Sequence, residues 1–144
     1  MGKRVAALGL DVGRKRVGVA GCDGLGLIAT GLMTLKRSSF ATDVATLQAI
    51  VEERKVELLV VGLPYLQDGS LGRQAREIQR YAQRLSQALT LPVVYVNEQY
   101  TSVEAKELMH AAGLSPARDR GTVDRKAAAL ILQQWLEDQS ALGG

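Results

Sequence analysis

Three short apolar segments open the chain, at residues 4–12, 17–21 and 26–35, with only brief turns between them. That spacing predicts an antiparallel meander. The first segment, Val5-Ala6-Ala7-Leu8-Gly9-Leu10, is apolar on both faces, as a buried central strand requires. From residue 42 onward the period changes. Val44, Leu47, Ile50 and Val51 recur at helical spacing, predicting a helix over 42–54. Leu58-Leu59-Val60-Val61-Gly62 reads as a strand stopped by Pro64. Ile78, Ala82, Leu85 and Leu89 mark a helix over 72–89, and Val93-Val94-Tyr95-Val96 a further strand.

Thr101 with Glu104 forms a capping box for another helix, which Gly113 can end. Residues 114–122 contain Pro116 and Gly121 without periodicity and read as a loop. A last helix is expected over 123–138, with Ala127, Ala128, Ile131, Leu132 and Trp135 inward. The sum predicts an α/β fold. Its mixed five-stranded sheet has three antiparallel strands, then parallel ones, with helices on both faces. Residues 1–139 are expected to form one domain and 140–144 a flexible tail.

With 144 residues, 47% of them apolar, the chain can bury one substantial core. No apolar run is long enough to span a bilayer, so no membrane partner is expected. Asp11, Arg14, Lys15 and Arg16 interrupt the apolar N-terminal stretch too soon for a secretion signal. A single cysteine, Cys22, excludes an internal disulfide framework, and the expected location is cytoplasmic. The net charge of +3 permits a nucleic-acid partner without requiring one, so the placement of charge matters more.

Three carboxylates stand where chemistry can use them. Asp11 ends the first strand, where a charge is costly unless paired, hydrated or metal-bound; a turn hydrogen bond would also account for it. Glu98 ends the last strand, either as a solvated strand end or facing Asp11, if its strand lies beside the first and parallel to it. Asp124 lies in line with Ala128, Ile131 and Trp135 on the last helix, so it continues the buried stripe toward the sheet. Its other reading is helix-dipole stabilisation in the first turn, worth about 0.3–1 kcal/mol. Converging carboxylates repel, and a proton or a cation must relieve them. All-oxygen ligation suits Mg²⁺ or Mn²⁺, whereas one histidine (His110) and one cysteine make an ordinary zinc site implausible. Asp68 and Asp119 rank as substrate or supporting groups, and Asp23 as structural.

Basic residues surround two of these acids. Arg14, Lys15 and Arg16 follow Asp11, while Arg118, Arg120, Arg125 and Lys126 surround Asp124. Acids within a basic rim are what a polyanion-cleaving site needs. Arg73, Arg76, Arg80 and Arg84 form a stripe on the second helix, either a solubilising face or a ridge that tracks phosphates. Residues 62–64 and 68–72 read as a Gly/Pro loop whose helix-start amides could hold phosphate.

Four blocks then point to one family. Leu8-Gly9-Leu10-Asp11-Val12-Gly13-Arg14-Lys15-Arg16-Val17-Gly18-Val19-Ala20 resembles the opening motif of the YqgF family of Holliday junction resolvases or pre-16S rRNA nucleases. Val61-Gly62-Leu63-Pro64 with Asp68-Gly69-Ser70 resembles its second block, and Asn97-Glu98-Gln99-Tyr100-Thr101-Ser102 its third. Gly121-Thr122-Val123-Asp124 with Ala127–Leu132 resembles its fourth. The resemblance covers almost the whole chain in the family's order. It implies a ribonuclease H-like fold and the acidic trio Asp11, Glu98 and Asp124 as catalytic and metal-holding residues. It also implies a role in maturing the 5′ end of precursor 16S rRNA. The family's third block usually reads Asp-Glu-Arg. Here the central glutamate stays, and Asn97 could orient a ligand or water by hydrogen bonding.

The function expected is therefore a metal-dependent endonuclease, monomeric or homodimeric, acting on structured RNA. The alternatives are a four-way DNA junction resolvase, which needs two sites and hence a dimer, and a non-catalytic rRNA-binding assembly factor. A sugar kinase-like ATPase would need a longer, two-domain chain.

Overall fold

Along β1 (Ala7–Val12), Leu8, Leu10 and Val12 alternate with Ala7, Gly9 and Asp11, and the two sets enter different cores. The structure is a computed structural model. It describes residues 6–22, 28–98, 111, 113 and 120–143, with Arg120 and residues 140–143 described by backbone alone. β2 (Arg16–Cys22) and β3 (Ala29–Lys36) complete the meander, and a bulge between Val19 and Ala20 shifts the register of β2 on β3. Helix α1 (Phe40–Arg54) begins at Ser39, whose hydroxyl accepts from the Thr42 amide at 3.1 Å, a side-chain N-cap. Then follow β4 (Leu58–Leu63), α2 (Arg73–Leu89), β5 (Val93–Asn97) and α3 (Arg120–Gly143). The helix expected over 101–113 lies outside the described residues except at Ala111 and Gly113, where Gly113 has a left-handed φ of 79°.

The sheet order is β3-β2-β1-β4-β5. β1 and β2 are antiparallel, as are β2 and β3, whereas β4 runs parallel to both β1 and β5. The expected mixed sheet is therefore present. Helices α1 and α2 cover one face through Leu47, Val51, Ile78, Ala82 and Leu85, and α3 covers the other through Ala128, Ile131 and Leu132. Ile131 and Leu132 are fully buried, and each contributes about 1.5–3 kcal/mol relative to exposure. Among the described residues, no helix is long and apolar enough to cross a membrane.

The condition set for Glu98 to face Asp11 from an adjacent strand is not met, because β4 pairs with both β1 and β5 and separates them. β1 and β5 still both run parallel to β4, so their C-terminal ends share one edge. The last helix runs over Arg120–Gly143 rather than 123–138, so it continues into the expected tail, and residues 120–122 are its first turn. Glycine in a helix costs about 1 kcal/mol. That cost is offset here by docking on β3, where the Thr34 hydroxyl donates to the Gly121 carbonyl at 2.5 Å. Asp124 consequently lies beyond the first turn, which removes the dipole explanation for it. The strand read to Gly62 runs one residue further, so Leu63, read as loop, belongs to β4 and the loop proper starts at Pro64.

Close approach positions α3. A Cβ on Gly9 would meet Leu132 Cβ at 2.7 Å, and one on Gly31 would meet Arg125 Cβ at 2.9 Å. At Gly18 a Cβ would collide with the backbone of Asp124, which cannot move aside. These glycines on β1, β2 and β3 let the helix lie almost on the sheet backbone and set Asp124 above β2.

Candidate active site

Asp11 and Glu98 meet on the α3 face of the sheet. Alternation along β1 sends Asp11 to that face, with Ala7 and Gly9. Glu98 follows β5 directly, its amide donating to the Leu63 carbonyl at 3.0 Å, so it stays in register with the end of β4. Its carboxyl then crosses above β4 at Gly62, where an added Cβ would lie 2.9 Å from Glu98 Oε2 and 2.5 Å from Ile131 Cδ1. A side chain at Gly62 would fill the space that Glu98 uses.

The two carboxyls lie within hydrogen-bonding reach of each other, and of the two Glu98 is the one favoured to carry a proton. Burial, then the Asp11 charge and this hydrogen bond, push the Glu98 carboxyl up to about 9. Asp11 is also raised, chiefly by burial, against the lowering effect of the Glu98 hydrogen bond; the nearby Asp124 charge raises it further. Two negative charges this close and partly withdrawn from water cost too much, which favours one proton on the pair.

Asp124 acts on Asp11 through its charge, but its carboxylate is engaged elsewhere: Arg16 Nε donates to Asp124 Oδ2 at 2.7 Å. Both side chains are only partly exposed. Among the described residues, no three acidic, histidine or cysteine side chains stand grouped as a ready metal cage. Asp11 and Glu98 are in contact, and Asp124 is near them but turned to Arg16. Gly13, Arg14, Lys15, Arg16 and Asp124 line a cleft of about 320 Å³ at the β1–β2 turn.

The remaining candidates divide. Arg14 and Lys15 are exposed on the β1–β2 turn. Arg125 turns toward β3, donating to Thr122 Oγ1 at 2.9 Å and Thr34 Oγ1 at 3.4 Å, and Lys126 is half-buried. Asn97 ends β5 and is exposed. Arg73, Arg76 and Arg80 are exposed on α2, with Arg73 3.4 Å from Glu77, while Arg84 lies 3.9 Å over the Phe40 ring. Arg118 lies outside the described residues, as do the side chain of Arg120, and Asp23, His110 and Asp119. Asp68 is exposed and closes a turn by accepting from the Ser70 amide and hydroxyl, which hold its carboxyl below the usual range.

Sequence reasoning missed the room that Gly62 leaves for Glu98, and did not name Arg37. Gly62 carried a signal, a glycine ending an apolar strand. Arg37 carried none: it follows β3 as an ordinary polar boundary residue. In the structure its Nη1 donates to the Gly13 carbonyl at 2.7 Å and its guanidinium lies 4.0 Å over the Tyr81 ring.

Comparison with known proteins adds an independent line. A family profile described as "RuvX: Holliday junction resolvase" matches residues 5–138. A Synechococcus elongatus protein named "Putative pre-16S rRNA nuclease" is 64% identical over 134 residues, covering 93% of this chain and 90% of its own. A protein of the same name from Microcystis aeruginosa is 58% identical over 135 residues, covering 94% and 93%. Among solved structures, Thermus thermophilus RuvC in complex with Holliday junction substrate has a TM-score of 0.58 at 16% identity, covering 95% and 96%. The fowlpox virus resolvase, in complex with substrate Holliday junction DNA, has a TM-score of 0.53 at 8% identity, covering 93% and 98%. At such identities these two structures share the fold.

Proposed function

The chain belongs to the RuvX (YqgF) family with its ribonuclease H-like fold, and from that premise we propose that it is a metal-dependent endonuclease. Its substrate in this reading is structured RNA, with the 5′-end maturation of precursor 16S rRNA in the cytoplasm as its task. The family's link to nuclease activity supports a catalytic role. The observation that carries the reading is the partly buried Asp11–Glu98 pair, with Asp124 within electrostatic reach, at one sheet edge.

The donor set fits a hard divalent cation. The pair already needs a proton to survive burial, and a cation relieves the same cost. Oxygen-only donors suit Mg²⁺ or Mn²⁺. Asp11, Glu98 and Asp124 would hold the ion. When bound, it supplies a more acidic water and charge neutralisation at the phosphate. Everything else falls to the chain's own groups. Arg14 and Lys15 draw the polyanion to the edge, through phosphate contacts that carry no sequence preference. Arg16 keeps Asp124 paired until a phosphate competes for its guanidinium, which frees the carboxylate to turn to Asp11. Ile131, fully buried and packed at Gly62 beside the Glu98 carboxyl, shields the inner side of that carboxyl from water.

A four-way DNA junction resolvase is the second reading, favoured by the description of the matching family. RNA leads because relatives at 58–64% identity carry the rRNA nuclease name. Incubating the purified protein with Mg²⁺ or Mn²⁺ separates the two, using precursor 16S rRNA and a four-way DNA junction as substrates. Preferential cutting of the RNA, lost in Asp11→Asn, supports the proposal. Preferential resolution of the junction by a dimer supports the alternative. Binding of rRNA without metal-dependent cleavage would leave only an assembly role.

A further inference from the structure

A second cleft, of about 380 Å³, opens on the other side of the β1–β2 turn. Strand alternation makes it distinct from the carboxyl site. Asp11 faces α3, whereas Val12, the next residue, faces α2 and lines this cleft. Gly13 and Arg14 line both clefts, so the turn is a shared wall.

Three arginines from three separate elements converge here: Arg14 from the turn, Arg37 after β3 and Arg73 from the start of α2. Glu77 is the one acid in the lining, 3.4 Å from Arg73, so the cleft stays net positive. Arg37 is the fixed member. One of its donors is bound to the Gly13 carbonyl, and its plane rests on Tyr81, whose hydroxyl donates to the buried Asp43 at 3.0 Å. Among the described residues it pairs with no carboxylate. Its other N–H groups therefore remain available in a held orientation. Helix α2 starts at Gly72 without a side-chain cap, and its first residues, Arg73 and Gln74, line the same cleft. Unpaired first-turn amides there add donors of the right sign.

We infer that the Arg14–Arg37–Arg73 cleft holds an internal backbone phosphate of the nucleic acid whose neighbouring segment reaches the Asp11–Glu98 pair across the turn. This deepens the nuclease reading and rests on it for the identity of the polyanion. Among the α2 arginines it assigns the work to Arg73 alone, and Arg76 and Arg80 stand outside the cleft.

The test measures binding of a 5′-hydroxyl RNA oligonucleotide in EDTA across a salt series, so that only internal phosphodiesters are offered and no cleavage occurs. Arg37→Gln and Arg73→Gln should each weaken binding about tenfold and lower the salt slope by about one, the loss of one charge-assisted phosphate contact. Arg76→Gln should change neither. Arg73 is exposed, so its variant keeps the test clear if Arg37→Gln unsettles the turn. Unchanged binding in both cleft variants overturns the assignment, as does an equal loss in Arg76→Gln, the signature of diffuse charge. Cleavage by the unsubstituted protein in Mg²⁺ is scored separately. If it cuts while the cleft variants bind normally, the cleft fails alone. If it does not cut while they lose binding, the cleft stands and the nuclease reading fails.

Discussion

The Glu98 carboxyl occupies the space that a side chain at Gly62 would fill, with Oε2 2.9 Å from where its Cβ would lie. Two acids on non-adjacent strands can thus meet across a third strand. Gly62→Ala should displace Glu98 and press on Ile131, at a stability cost of about 1–3 kcal/mol. Adding Ile131→Val removes the Cδ1 atom that lies nearest the new methyl. Urea unfolding should then show part of the stability restored, while cleavage stays low because Glu98 remains displaced. Recovery of both together would show that packing alone was at stake.

The metal-free protein should lose stability as pH rises. In the fold the Glu98 carboxyl titrates at about 9, against an ordinary value of 4.5. The folded state therefore holds more protons than the unfolded state between those values, and the slope of stability with pH is negative. Melting temperatures in EDTA should fall across that window, with a smaller fall in Glu98→Gln, whose amide does not ionise. Mg²⁺ should stabilise the unsubstituted protein more at pH 8 than at pH 6, because it replaces a proton. A flat profile in EDTA would be inconsistent with the shared proton.

Arg16 competes with any cation for Asp124. Arg16→Gln removes the 2.7 Å ion pair and leaves the carboxylate free. Mn²⁺ affinity, read by calorimetry, should rise severalfold, in keeping with about 1 kcal/mol for a partly exposed pair. Nucleic-acid binding should weaken at the same time, through the lost phosphate contact.

Much of the fold was legible because periodicity reports local structure well. The meander, both long amphipathic helices and the inward stripe on α3 follow from the spacing of apolar residues. Neighbour choice within the sheet was not legible. Nothing in the pattern of β5 says that it pairs with β4 rather than β1, since both are buried apolar strands. Asp43 was not legible either: it stands in the first turn of α1, yet it is 2% exposed and accepts from the Tyr81 hydroxyl and the Ser38 amide. The acidic candidates were chosen from their placement at strand ends and on the inner stripe. Gly62 and Arg37 escaped because their importance lies in what stands opposite them.

That Asp43 network gives its own expectation. Tyr81→Phe deletes one donor to a buried carboxylate and should cost about 1–3 kcal/mol in urea unfolding. Adding Asp43→Asn should cost less than the sum of the single changes, because the partners are in contact. Strict additivity would mean that the 3.0 Å contact carries no energy.

The central claim is that the Asp11–Glu98 pair exchanges its proton for a divalent cation. Calorimetric titration of the metal-free protein with Mn²⁺, in two buffers of different ionisation enthalpy, tests it most directly. The account predicts saturable binding with proton release, abolished in Asp11→Asn. Equal binding by that variant, or binding without proton release at neutral pH, would contradict it.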